Sequence, residues 1–317
     1  MTNQKTKDKK RTWVKLELSV PEELLDGVSN FMMELGSHGV YEEVLVSSSA
    51  DDDLPEWRGN NRLYAHLPLD SHWEGKLHRL DTYLDHLAAL FPDSSRVTVQ
   101  QEVIEDPDWE EQWKKYFQPL RVGSSIVIKP SWERYNPVGG DIVIEIDPGM
   151  AFGTGQHAST RLCIEAMEEV MRKDRTIPSW NVLDVGTGTG ILGIVSAKLG
   201  ASRVLCLDID KKAVEIAREN VRVNDVDGHV FVRNRPVQTL SGSYYLIVAN
   251  LTEKLLVTLK ETLVSLLEEQ GYLIISGIIT ENREMMEKNF LCSPLVLHDT
   301  RVEKEWVSYV LRKEGKE

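Results

Sequence analysis

Residues 183–190 read Leu183-Asp-Val-Gly-Thr-Gly-Thr-Gly190, and this stretch decides the fold of the second half of the chain. An apolar run at 182–185 predicts a strand, and the residues at 191–199 predict a helix. Three glycines therefore lie between a strand and a helix, where they permit a sharp turn and a close approach of a ligand to the backbone. The stretch predicts a cofactor-binding loop in an α/β domain.

Two cofactors fit this loop of Gly186, Gly188 and Gly190. Asp208 ends the next predicted strand, where a carboxylate can accept hydrogen bonds from a ribose diol. The chain also satisfies the G-x-G-x-x-G pattern of nicotinamide dinucleotide sites, so an NAD-dependent oxidoreductase is a rival. Asp184 favours S-adenosylmethionine, because a carboxylate there repels a pyrophosphate and suits a cationic sulfonium. We expect Asp184 and the three loop glycines to contact that cofactor.

The residues around this loop continue the alternation of strands and helices that is typical of a parallel α/β sheet. After residue 160 the predicted strands of this pattern occupy residues 204–207, 230–232, 245–249 and 272–275, besides the one at 182–185. Earlier in the chain, two strands at 126–128 and 142–146 are predicted around a turn at 137–140, and a C-terminal hairpin is predicted from 295–297 and 306–311.

A second glycine-rich segment, residues 147–160, precedes a predicted helix. A flexible domain connection is one interpretation. The abundance of Gly and Thr together with Phe152 and His157 instead favours a lid or wall over the methionine end of the cofactor. We expect Phe152 and Thr154 to contact the cofactor. His157 is available as a base, although a single loop histidine is more often structural.

Asn250 follows the predicted strand 245–249 directly. Open α/β sheets bind ligands at the carboxyl ends of their strands, so its amide oxygen is placed to hold an incoming amine. An Asx turn between strand and helix is the alternative interpretation. We expect Asn250 to be catalytic, by orienting the nucleophile, and also to contact the cofactor.

The first hundred residues follow a different plan. Alternating apolar residues predict strands, and apolar residues at helical spacing predict helices. The elements in the order β-α-β-β-α-β are 14–20, 24–35, 40–46, 63–69, 77–90 and 97–103. This is the order of a ferredoxin-like α+β domain, a fold with many functions.

An aromatic segment joins the two halves. Trp109, Trp113 and Phe117 recur at helical spacing and predict a connecting helix over 105–120. Its stripe either packs on one domain or sets the angle between the two. We expect a ferredoxin-like domain at 11–104 and a cofactor-binding domain at 121–317.

Composition limits the classes of protein to which the chain can belong. The 317 residues carry a net charge of −13, which argues against a broad nucleic-acid-binding surface. The three cysteines form no CxxC pair, so neither a zinc site nor a disulfide framework is indicated. No apolar stretch is long enough to span a membrane. We expect a cytoplasmic protein without a metal, a membrane or direct nucleic-acid readout.

Together and in this order, the motifs resemble the PrmA family, the methyltransferases of ribosomal protein L11. The resemblance is carried by specific motifs from about residue 105 onward. Over the first hundred residues it rests only on the β-α-β-β-α-β order of elements. Its motifs are Glu105-Asp-Pro-Asp-Trp, Trp113-Lys-Lys-Tyr, Pro130-Ser-Trp-Glu, Asp147-Pro-Gly-Met-Ala-Phe-Gly-Thr-Gly-Gln-His, Asp184-Val-Gly-Thr-Gly-Thr-Gly-Ile-Leu, Asp208-Ile-Asp, Val248-Ala-Asn-Leu and Ser276-Gly-Ile.

The resemblance implies a Rossmann-like, class I S-adenosylmethionine-dependent methyltransferase domain preceded by a substrate-recognition domain. It implies that Thr160, Gly186, Asp208 and Asn250 contact the cofactor. The substrate it implies is a ribosomal large-subunit protein, methylated on lysine side chains and the terminal amine. Another protein lysine, an NAD-dependent reaction and a non-catalytic ribosome-binding module stay open as alternatives.

The sequence departs from the family pattern near the predicted site. The family commonly has Pro-Thr-Thr after the loop histidine, where this chain has Ala158-Ser159-Thr160. Leu251-Thr252-Glu253 places a charge close to Asn250, and 233–236 lacks the acidic residue that many methyltransferases direct at adenine. No adenine contact is therefore assigned.

Overall fold

The structure is a computed structural model that describes residues 12–21, 24–37, 40–42, 61–92, 94–104, 114, 117–147, 153–174, 177 and 179–315. The chain divides into two compact units. The first comprises Met1–Phe117 and Pro148–Met150, and the second comprises Gln118–Asp147 and Ala151–Glu317.

The first unit contains a four-stranded antiparallel sheet in the order β2-β3-β1-β4. Alternate residues of β1, among them Leu16 and Leu18, are buried in one apolar cluster with Val28, Leu80 and Leu87. This arrangement confirms the predicted ferredoxin-like plan. Its elements are β1 Trp13–Val20, α1 Leu25–Glu34, β2 Val40–Glu42, β3 Asn61–Pro68, α2 Trp73–Leu90 and β4 Thr98–Ile104.

The second unit is built on a seven-stranded sheet in the order β10-β9-β8-β11-β12-β14-β13. The first five strands in that order are parallel, and the last two form an antiparallel hairpin. The strands are β8 Asn181–Val185, β9 Arg203–Asp208, β10 Val230–Asn234, β11 Tyr244–Asn250, β12 Leu267–Ile279, β13 Leu295–Glu303 and β14 Trp306–Lys313. The helices are α3 Ala158–Lys173, α4 Ile191–Lys198, α5 Lys211–Val223, α6 Glu253–Leu266 and α7 Arg283–Phe290.

The order of the parallel strands places a topological switch between β8 and β11. The chain runs outward from β8 to β9 and β10, and then returns to the other side of β8 as β11. Loops at the carboxyl ends of β8 and β11 therefore diverge and leave a crevice, which is where open α/β sheets bind ligands.

The central strands read as continuous apolar runs because both sheet faces are covered. Val182 and Val248 lie in one apolar cluster, and Leu183, Ile247 and Ala249 lie in another. Full burial of each large side chain contributes about 1.5–3 kcal/mol. The carboxyl ends of these strands therefore rest on a rigid base.

A smaller three-stranded sheet contains the two strands predicted around residues 137–140. Its strands are β5 Leu120–Val122, β6 Ile126–Lys129 and β7 Ile142–Glu145. The predicted turn at 137–140 leads to a parallel β6–β7 pair rather than a hairpin, because residues 130–141 carry the chain back along the strand. Asp141 anchors this connection by accepting hydrogen bonds from Arg121 at 2.9 Å and from Tyr135 at 2.5 Å.

The predicted connecting helix is too long at its carboxyl end. Residues 117–119 are not helical, and Leu120 already belongs to a strand. Phe117 is buried, whereas Trp109 and Trp113 lie outside the described residues.

The described residues contain no helix suited to crossing a bilayer. They also contain no group of three or more His, Cys, Asp or Glu side chains arranged to hold a metal ion.

Candidate active site

The glycine loop connects β8 to α4 in backbone conformations that favour glycine. Gly186 and Gly190 have φ values of 74° and 85°. A Cβ on Gly186 would lie 2.4 Å from Leu251, and one on Gly190 would lie 3.1 Å from Ala217. The backbone N–H of Gly186 donates to Leu207 at 2.9 Å, which fixes the loop against the end of β9. Both the backbone and the available space therefore require glycine here.

Asp184 lies beneath this loop rather than facing the crevice. Its side chain is fully buried, accepting hydrogen bonds from Thr187 at 2.5 Å and from the Gly193 backbone at 3.1 Å. Burial, together with the nearby charge of Asp208, raises the pKa of Asp184 to about 6 against the opposing effect of the Thr187 and Gly193 hydrogen bonds. The enclosed carboxylate orients the loop, and its charge lies directly beneath the predicted cofactor site. A contact between Asp184 and the cofactor stays a prediction.

Asp208 ends β9 with its carboxylate against the same loop. One oxygen accepts from the Gly188 backbone at 3.0 Å, and the other accepts from the Asp210 backbone at 2.9 Å. These bonds hold the partly exposed carboxylate at the carboxyl edge of the sheet, where the sequence predicts a ribose acceptor.

Ile209 is an exposed apolar residue beside the candidate site, and the sequence reasoning assigned no role to it. It follows Asp208 and is 79% exposed, more than any other large hydrophobic side chain among the described residues. An apolar side chain left in water beside a strand-end carboxylate is suited to cover the flat face of a base. The Asp-Ile pair at the end of a predicted strand is the signal that would have indicated it.

The glycine-rich segment 153–160 packs on the glycine loop. The hydroxyl of Thr189 donates to the carbonyl of Gly153, and a Cβ on Gly155 would lie 2.3 Å from Ile128. The described part of the segment therefore forms a wall beside the loop. Thr154 is half-buried in it, and Phe152 lies outside the described residues.

His157 has a structural role at the start of α3. Its Nδ1 accepts a hydrogen bond from the backbone N–H of Ser159 at 3.2 Å, so it caps the helix. Its ring also meets Trp306 edge-on, with 4.7 Å between ring centroids.

Asn250 and Thr160 meet at the carboxyl edge of the sheet. The side-chain amide of Asn250 donates to the Thr160 hydroxyl at 3.3 Å, and Thr160 is buried. The amide oxygen of Asn250 lies over Gly277, since a Cβ added to Gly277 would lie 3.0 Å from that oxygen. The Asn250 side chain therefore bonds to α3, an element distant in sequence. These contacts are not those of an Asx turn, in which the side chain would bond to the backbone that follows it.

Glu253 directs its charge inward rather than at an incoming ligand. Its carboxylate accepts from the backbone N–H of Ile279 at 3.1 Å and from the side chain of Asn282 at 3.2 Å. The departure from the family pattern noted in the sequence therefore braces the segment that follows β12.

The three sequence signals converge on the crevice at the topological switch. The glycine loop lets a ligand approach the backbone closely, Asp208 offers a strand-end carboxylate, and Asn250 and Thr160 offer neutral polar groups. This set fits the ribose and the amino-acid end of S-adenosylmethionine. A pyrophosphate fits poorly, because Asp184 lies directly under the loop and, with a pKa of about 6, is mostly ionised at neutral pH.

This fold and crevice define a Rossmann-like methyltransferase domain of the class that uses S-adenosylmethionine. The sequence profile of the family described as ribosomal protein L11 methyltransferase (PrmA) matches residues 12–314. The chain belongs to this PrmA family.

Individual relatives match over most of the chain. The ribosomal protein L11 methyltransferase of Pelobacter propionicus is 36% identical over 301 residues, which cover 95% of this chain and 97% of the relative. The ribosomal protein L11 methyltransferase of Geotalea uraniireducens is 36% identical over 314 residues, which cover 97% of this chain and 100% of the relative. The crystal structure of a ribosomal protein L11 methylase from Lactobacillus delbrueckii subsp. bulgaricus is 30% identical with a TM-score of 0.57, and it covers 63% of this chain and 100% of that one.

Proposed function

We propose that this protein transfers methyl groups from S-adenosylmethionine to amino groups of ribosomal protein L11, on lysine side chains and at the terminal amine. The contact between Asn250 and Thr160 at the topological switch carries the proposal. It places a neutral amide beside the loop that we assign to the cofactor, and membership of the PrmA family supplies the substrate class.

The cofactor supplies an electrophilic methyl group on a cationic sulfur. Asn250 accepts a hydrogen bond from the incoming nitrogen through its amide oxygen, while Thr160 holds the amide nitrogen. The nitrogen then points its lone pair along the line of attack; the N–C bond forms as the S–C bond breaks. Alignment of this kind accounts for a large part of the rate enhancement in bimolecular reactions.

A lysine amine must lose a proton before it can attack, since its ordinary pKa is about 10.4. Burial beside a cationic sulfur disfavours the ammonium form and lowers that pKa. Asp184 and Glu253 both direct their carboxylates into the protein. We therefore assign the role of proton acceptor to solvent.

The cofactor contacts that we propose are Thr154, Thr160, Gly186, Gly188, Gly190, Asp208 and Asn250, with Phe152 retained from the sequence and Asp184 acting through its charge beneath the loop. The ferredoxin-like domain at 11–104 is proposed to recognise the substrate. Because a ribosomal protein is the proposed substrate, we place the enzyme in the cytoplasm, without direct readout of nucleic acid and without a membrane partner.

The decisive experiment incubates the enzyme with labelled S-adenosylmethionine and ribosomal proteins that include L11, followed by mass spectrometry of the labelled peptides. We expect methylated lysines and a methylated amino terminus. Label in another ribosomal protein, with none in L11, would keep the chemistry and change the target.

Calorimetry with S-adenosylmethionine and with NADH separates the remaining alternatives. Binding of S-adenosylmethionine alone supports the proposal. NADH binding without it would favour the oxidoreductase, and ribosome binding without label transfer would favour a non-catalytic module.

A further inference from the structure

The tip of the hairpin between β13 and β14 lies at the same sheet edge as the candidate active site. β12 runs parallel to β11, and Asn250 at the end of β11 pairs with Ser276. β14 pairs with the continuation of β12, so that Trp306 lies opposite Ile279. We call residues 303–306 the hairpin tip.

One side of the hairpin tip binds the first turn of α3. Nε of Arg161 donates to both carboxylate oxygens of Glu303, at 3.1 Å each, and its Nη2 contacts the same carboxylate. The side chains are only 20% and 34% exposed, so this ion pair is shielded from solvent more than an ordinary surface pair. Arg161 directly follows Thr160 and also donates to the carbonyl of Gln156.

A second contact from the tip reaches the residue that caps α3. The Trp306 ring meets the His157 ring edge-on at 4.7 Å, while the Trp306 Nε1 donates to Glu305 at 2.8 Å. The ring of Trp306 is therefore oriented by its neighbour before it meets His157.

The other side of the tip holds the segment after β12. The backbone N–H of Thr280 donates to the carbonyl of Glu305 at 2.8 Å. The end of β12 that leads into this segment lies beside Asn250, since Gly277 of β12 lies against the Asn250 amide oxygen. The tip thus contacts both elements that flank the Thr160–Asn250 pair.

We propose that Glu303 and Trp306 are positioning residues of the active site: they hold the first turn of α3 so that Thr160 stays in register with Asn250 and with the cofactor. This inference rests on the proposed function of the site. Neither residue touches the reacting atoms; each acts through Arg161 or His157.

The same strand and helix offer a matched control. Arg301 of β13 pairs with Glu169 of α3, eight residues beyond Arg161 and therefore roughly 12 Å farther along the helix. Glu169→Gln removes an ion pair between the same two elements without touching the first turn. A purely structural role of the hairpin predicts the same outcome for Glu303→Gln and Glu169→Gln.

The test measures the calorimetric Kd of S-adenosylmethionine, its KM, the kcat with L11 and the melting temperature for Glu303→Gln, Trp306→Ala, Trp306→Phe and Glu169→Gln. Loss of the charge-assisted contact in Glu303→Gln is expected to raise Kd and KM about tenfold, with kcat changed less than about threefold. Trp306→Ala should behave similarly. Trp306→Phe keeps an aromatic edge at His157 and should restore most of the affinity.

The control decides the interpretation. Glu169→Gln is expected to lower the melting temperature about as much as Glu303→Gln and to leave Kd unchanged. Equal Kd values for Glu303→Gln and the wild type would overturn the inference, and so would an equal rise in both glutamate variants. Should Trp306→Ala fail to fold, Glu303→Gln decides alone, because it preserves side-chain shape. Absence of methyl transfer by the wild type would instead refute the proposed function.

Discussion

The glycine loop and the Thr160–Asn250 contact lie at one edge of one sheet, but they are assembled differently. The loop and the carboxylate beneath it come from residues 184–193, with Asp208 from the neighbouring strand. The Thr160–Asn250 contact joins the start of α3 to the end of β11 and depends on β12 and the hairpin for its placement. Because the loop is encoded locally, a single substitution within it should abolish its conformation. The Thr160–Asn250 contact is built from distant segments, so substitutions at several positions can change its geometry.

The largest expected effect lies in the loop. Gly186→Val places a β-branched residue at a φ of 74° and a Cβ about where Leu251 already lies, so we expect the affinity for S-adenosylmethionine to fall by more than about a hundredfold. Calorimetry measures this loss. Gly200→Val is the control, because Gly200 has a φ of 101° with open space around it. Equal loss of affinity in both variants would show that general destabilisation, not the loop, is responsible.

Asn250→Ala tests the other half of the comparison. Loss of the orienting amide should lower kcat roughly a hundredfold while the fold survives. A quenched methyl-transfer assay measures kcat, and circular dichroism shows whether the fold survives. Asn181→Ala changes the same residue type at the opposite edge of the sheet and should leave kcat unaltered. Full activity of Asn250→Ala would remove this residue from the mechanism.

Asp184→Asn examines the charge under the loop through pH dependence. Because the folded-state pKa is raised from 3.8 to about 6, the folded protein binds this proton more tightly than the unfolded chain. The stabilising contribution is therefore present below about pH 4 and is lost as the pH rises through about 6. The wild type should lose up to about 3 kcal/mol of unfolding free energy over that range from this group.

Urea unfolding of the wild type and Asp184→Asn at pH 4.5 and 7.5 (roughly either side of the transition) measures that difference. The variant should show a smaller decline in unfolding free energy with pH and about tenfold weaker binding of the cationic cofactor. Parallel pH profiles for the two proteins would mean that Asp184 keeps an ordinary pKa.

The smallest expected effect is at the rim of the crevice. Ile209→Ser should raise the KM for S-adenosylmethionine about threefold by removing an apolar cover, with no change in melting temperature because the side chain is exposed. Val223→Ser alters another exposed apolar residue, at the end of α5, and serves as the matched variant. An unchanged KM for Ile209→Ser would exclude a role for this side chain in covering the base.

The same contrast explains what the sequence could predict. The loop, Asp208 and the end of β11 are local patterns of apolar runs and glycine spacing, and the structure places them where expected. The Arg161–Glu303 pair joins residues that are distant in sequence, and periodicity carries no information about it. The cap at His157 and the hydrogen bonds of Asp184 are local, but they depend on side-chain geometry, which apolar periodicity does not encode. The sequence predicts the strands β6 and β7 but not their relative direction, since a Pro-Gly-rich connection indicates a turn without fixing how the strands pair.

The position of β14 has a consequence for synthesis on the ribosome. β14 follows β13 in the chain but lies between β12 and β13 in the sheet. A nascent chain therefore exposes the bare edge of β12 until residues 306–313 have emerged, whereas the four strands of the first unit are complete at Ile104. We expect the first unit to fold during translation. The seven-stranded sheet is completed only when β14, the last strand to be synthesised, inserts between β12 and β13.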